Sequence, residues 1–166
     1  MSPWRWPLAS NEIRGGSKRN TFGDVRVNRD GSTRAHQGWD FAAPIGTPCR
    51  AIGAGVVSAG DYGLQVLIRQ HDPHKGRTVW AFYAHLSSAA VKVGDRVAPA
   101  QVIGATGESG NARGMAAEDQ HLHFEVRTEP HPGRGLAGQL VVQPALDQSP
   151  EILGGLHAGG DNFLQH

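Results

Sequence analysis

Cysteine is almost missing from this chain: its 166 residues include one, Cys49, so neither an internal disulfide nor a thiolate cluster can brace the fold or hold a metal. Any bound metal must take histidine and carboxylate ligands. An excess of one charge is missing too, with 16 lysines and arginines against 15 acidic residues. That balance offers no basic face to nucleic acid and no attraction to an anionic membrane. No apolar run reaches the length of a membrane span, and Met1-Ser2-Pro3-Trp4-Arg5-Trp6-Pro7 lacks the apolar stretch of a secretory leader. The chain is expected to be soluble, with no visible export address. Helix-period windows are scarce, whereas 23 glycines and 10 prolines separate short apolar runs, the punctuation of an antiparallel β architecture.

What is present fits one domain of ordinary size. Residues 1–20 read as an N-terminal arm, with Trp4 and Trp6 pinned against the domain; residues 21–146 read as the domain itself; residues 147–166, polar and glycine-rich, read as a tail with little core. Residues 21–32 predict a strand closed by an Asp30-Gly31 turn. Runs at 51–59 and 64–70 predict consecutive strands across Gly60-Asp61-Tyr62-Gly63. His71 and His74 fall in a polar loop and are assigned no chemistry. Residues 91–104 read as strand, turn, strand. Residues 107–119 read as a long loop that shapes access to the strand after it, and residues 136–142 as a short apolar stretch.

The informative strand is Gln120-His121-Leu122-His123-Phe124-Glu125. Alternation puts His121, His123 and Glu125 on one face and sends Leu122 and Phe124 into a core. Far upstream, His36 and Asp40 stand four apart with Gly38 between them, a glycine that lets the backbone turn so that both side chains converge. Two histidines and one carboxylate are the ligand count of a catalytic zinc with one position left open. In residues 78–86, Trp80, Phe82, Ala84 and Leu86 share one face, while Val79, Ala81, Tyr83 and His85 share the other. With the bulky face as core, Tyr83 and His85 are expected to look into a groove, His85 as a general base.

These blocks, His36 to Pro48, Tyr83-Ala84-His85-Leu86-Ser87, Val91 to Gly104 and His121 to Glu125, resemble the lysostaphin-type zinc metallopeptidases that cut peptidoglycan peptides. The resemblance runs from about Thr21 to Arg127. It implies an all-β fold of antiparallel sheets with few or no helices, forming an open groove with one zinc ion on its floor. It also implies that His36, Asp40 and His123 ligate the zinc and that His85 and His121 are the pair that handles protons and stabilises the transition state. The family's usual Gly-Pro before His-x-His is replaced here by Asp119-Gln120, and the loop from Gly107 is longer, so the groove rim differs. The expected activity is hydrolysis of stem-peptide cross-links in the periplasm or cell wall. With no leader visible, the export route is either a signal already removed or a secretion apparatus delivering an antibacterial effector, with an immunity protein as partner. The rival readings are a non-catalytic wall-binding adaptor of the same fold and a biotinyl- or lipoyl-like carrier domain, the latter without a lysine hairpin to modify.

Overall fold

Short runs of β-branched and aromatic residues, interrupted by glycine and proline, leave room for strands and little else. The computed structural model describes residues 4–60, 64–73 and 75–130; His74, the 136–142 stretch and the 147–166 tail lie outside the described residues. Among the described residues eleven strands follow in order: β1 (Gly23–Val27), β2 (Thr33–His36), β3 (Trp39–Ala42), β4 (Pro48–Arg50), β5 (Gly55–Ala59), β6 (Val66–Asp72), β7 (Arg77–Ala84), β8 (Leu86–Ala89), β9 (Arg96–Val97), β10 (Val102–Thr106) and β11 (His121–Arg127). Among the described residues helix is limited to single 3-10 turns of three residues, such as Gly110–Ala112 and Ala117–Asp119. The expected all-β fold is what forms.

Every strand pairing is antiparallel. The main sheet has six strands in the order β3-β11-β7-β6-β5-β9; beside it lie a three-stranded sheet β4-β10-β8 and the β1-β2 ribbon. One face of the main sheet closes the core, with Trp39 and Phe41 from β3, Leu122, Phe124 and Val126 from β11, and Val79, Ala81 and Tyr83 from β7. The opposite face is the floor of a cleft. Residues 4–20 belong to the same body: Trp4, Trp6, Leu8 and Ile13 are buried in that core, Ile13 bridges to Phe41, and the Ala42 N–H donates to the Glu12 carbonyl at 2.8 Å. Trp4 and Trp6 are thus pinned as expected.

The faces of β7 are the reverse of the sequence expectation. Tyr83 is wholly buried in the core, paired beside Phe124, and its hydroxyl accepts from the Ile52 N–H at 3.1 Å. Phe82, Ala84 and Trp80 instead gather with Leu67 on the cleft face. Both faces of β7 carry apolar and aromatic residues, so alternation could not choose between them; register with β11 does. His85 still reaches the cleft because its φ of +64° breaks the alternation. That left-handed residue lines the cleft and returns Leu86 to the core.

Candidate metal centre and cleft

The site is assembled where β3 and β11 run side by side, His123 directly opposite Asp40. His36 arrives from the end of β2. Gly38, between them, has no positive φ; it is needed because a Cβ there would stand 2.3 Å from the Phe124 carbonyl oxygen. Close approach to β11, and not a sharp turn, is what that glycine supplies. Asp40 Oδ1 lies 3.2 Å from His36 Nε2 and 2.8 Å from His123 Nδ1, and the two ring nitrogens are 3.3 Å apart. Two ligand atoms bound tetrahedrally to one ion at about 2.0 to 2.1 Å stand about 3.3 Å from each other. The donor set therefore has the spacing as well as the chemistry for a zinc-sized ion.

The far sides of both rings are tied down. His36 Nδ1–H donates to the Thr21 carbonyl at 2.9 Å, so in the neutral ring Nε2 is the free lone pair. His123 Nε2–H donates to Glu125 Oε1 at 2.7 Å, and Glu125 in turn accepts from Arg127 Nε at 2.6 Å, with the Arg127 guanidinium lying 3.9 Å over the Phe82 ring. Burial alone would lower the His123 pKa, but the hydrogen-bonded Asp40 and Glu125 carboxylates raise it to about 9. Burial likewise works to raise Asp40, and hydrogen bonds from His123 and His36 reverse it, holding the carboxyl far below its ordinary range. A proton on His123 Nδ1 thus bridges the cluster, and a metal ion entering would displace it.

His121 and His85 stand beside this cluster, their rings 5.0 Å apart and edge to face. His121 Nε2 is 3.8 Å from Asp40 Oδ1, and its Nδ1–H donates to the Asp119 carbonyl at 2.7 Å. His85 Nδ1–H donates to the Ser109 carbonyl at 2.8 Å. Burial lowers both imidazoles, His85 to about 4, so each is neutral at pH 7 with Nε2 as acceptor. The five residues named from the sequence all line one cleft of about 320 Å³. Asn111 and Met115 of the long loop line it as well, and the exposed His71 does not.

Sequence reasoning missed the arginines. Arg14, Arg19 and Arg26 also line the cleft, Arg26 Nη2 reaching Asp40 Oδ2 at 3.0 Å. They come from stretches without strong periodicity, so no pattern marked them. Arg127 was findable, since it continues the His121, His123, Glu125 face by one more step of two.

The sequence profile of Peptidase family M23 matches residues 34–135. The chain belongs to peptidase family M23. Similar M23 relatives include the peptidoglycan DD-endopeptidase ShyC of Vibrio cholerae, 38% identical over 99 residues that make up 57% of this chain and 21% of ShyC. Among solved structures, a zinc-containing peptidase from Vibrio cholerae superposes with a TM-score of 0.61 at 29% identity, over 76% of this chain and 36% of that one. The catalytic domain of lysostaphin from Staphylococcus simulans gives a TM-score of 0.51 at 31% identity, over 64% of this chain and 76% of that one. The matched stretch spans 21% to 25% of the length of the curated relatives.

Proposed function

We propose that this M23 chain is a zinc-dependent endopeptidase that hydrolyses peptide cross-links of bacterial peptidoglycan. The observation that carries the reading is the convergence of His36 Nε2, Asp40 Oδ1 and His123 Nδ1 beside two neutral, oriented imidazoles in an open cleft. His36, Asp40 and His123 would hold the metal. Bound zinc supplies Lewis acidity, polarising a substrate carbonyl and making water nucleophilic near neutral pH.

The chain's own residues do the rest. His85, fixed through Nδ1 by the Ser109 carbonyl, presents Nε2 to accept a proton; burial that lowers its pKa to about 4 makes its imidazolium a strong acid toward a leaving amine. His121, fixed by the Asp119 carbonyl, turns Nε2 to the same space, and once it has taken a proton there it donates to the oxygen on which negative charge develops. Phe82 and Ala84 form an apolar floor that limits water. An adaptor that only binds would need none of these five groups in register, and M23 membership favours hydrolysis over a carrier role.

Peptidoglycan lies outside the cytoplasm, so the proposed place of action is the periplasm or wall. Digestion of purified wall by the zinc-loaded protein, followed by chromatography and mass spectrometry, should release fragments with split peptide cross-links and intact glycan. Cut glycan with intact peptides would reject the reading. An effector delivered to a competitor's periplasm, with its immunity protein, corresponds to lysis only when the chain is exported; harmless export would reject that role.

A further inference from the structure

The cleft is electrically one-sided. Among the described residues that line it, Arg14, Arg19 and Arg26 meet a single carboxylate, Asp40, and side chains such as Gln65, Phe82 and Met115 carry no charge. Arg26 Nη2 touches Asp40 Oδ2 and its Nε donates to the Arg19 carbonyl at 3.1 Å, which fixes the guanidinium at the edge of the ligand cluster.

Arg14 has donors to spare. Its ion pairs among the described residues are long, 3.9 Å to Asp40 and 3.8 Å to Asp119. Its Nη1 is 3.0 Å from His121 Nδ1, but that nitrogen's proton is committed to the Asp119 carbonyl at 2.7 Å, and a carbonyl can only accept. The guanidinium therefore meets another N–H there and not an acceptor.

We infer that these arginines form a subsite for a substrate carboxylate carried next to the scissile amide nitrogen. The inference rests on the endopeptidase reading. Guanidinium groups recognise carboxylates in paired hydrogen bonds, and Arg26 abuts a residue of the ligand cluster, so a carboxylate it binds lies within one residue of the bond cut. A cross-link in which the amine-donating residue is a diamino acid with a free carboxylate on that carbon satisfies the subsite. A bridge of uncharged glycines does not.

Two synthetic cross-linked peptides test this, identical except that the carbon bearing the scissile nitrogen carries a carboxylate in one and a carboxamide in the other. With zinc-loaded wild type, kcat/KM should favour the acid by about 10- to 100-fold, the range of a charge-assisted hydrogen bond. Arg26→Gln combined with Arg14→Gln should bring the ratio close to one, mainly through KM for the acid, and Arg26→Lys should keep part of it. Equal use of both peptides by wild type, or equal slowing of both by the variants, overturns the subsite. If neither peptide is cut, the endopeptidase reading fails separately, and calorimetric binding of the same pair decides the subsite: tighter, arginine-dependent binding of the acid supports it, and equal binding rejects it. The wild-type comparison needs no variant to fold.

Discussion

Glu125 links the orientation of His123 to the neutralisation of Arg127, and the two roles separate by mutation. Glu125→Ala leaves Arg127, 6% exposed, as a buried cation without its carboxylate, which costs about 3 to 5 kcal/mol. It also removes the acceptor for His123 Nε2–H, lowering metal affinity by about 10- to 100-fold. Adding Arg127→Met should restore stability in urea denaturation but leave the affinity, read by chelator competition, still weak. His85 yields a pH prediction. Its folded pKa, lowered by burial to about 4, lies below the ordinary 6.5, so between those values the unfolded chain binds more protons. Stability is unaffected by this group above about pH 6.5 and falls as pH drops toward 4. NMR titration of His85 should give a midpoint near 4; one near 6.5 contradicts the burial account.

At the scale of elements, β11 was legible and β7 was not, for one physical reason. In β11 polar and apolar residues alternate cleanly, His121, His123, Glu125 and Arg127 against Leu122, Phe124 and Val126, and the structure buries the second set in the core. In β7 both sets are apolar or aromatic, and the choice of face falls to pairing of Tyr83 with Phe124 and Val66, which no local pattern encodes. His85 escaped the alternation through a positive φ that sequence does not announce in a non-glycine residue. Asp119 and Gln120, which stand where the resembled family has Gly-Pro, are structural: the Asp119 carbonyl fixes His121, and Gln120 Oε1 accepts from the Ile45 N–H at 3.2 Å. The corrected face of β7 makes its own prediction. Tyr83→Phe strands the buried Ile52 N–H and should cost about 1 to 3 kcal/mol in denaturant melts, with turnover unchanged; a large fall in turnover at unchanged stability would return Tyr83 to the cleft.

For the whole molecule, the N-terminal stretch is part of the core. Four buried side chains, Trp4, Trp6, Leu8 and Ile13, contribute roughly 1.5 to 3 kcal/mol each, together comparable to the full stability of a typical domain. Deleting residues 1–13 should abolish cooperative unfolding by circular dichroism; a truncated chain that melts cooperatively at the same temperature would show that the segment is dispensable. The central claim is that three residues hold a metal while His85 and His121 serve proton transfer and the charge of the transition state, and parallel measurement of zinc content and cross-link turnover tests it most directly. Wild type should bind close to one zinc and cut cross-links. His36→Ala, Asp40→Ala and His123→Ala should lose both properties, whereas His85→Ala and His121→Ala should keep the zinc and lose about 10² to 10⁴ in rate. A metal-free protein with full activity, or a His85→Ala protein that loses zinc while His36→Ala retains it, would contradict the account.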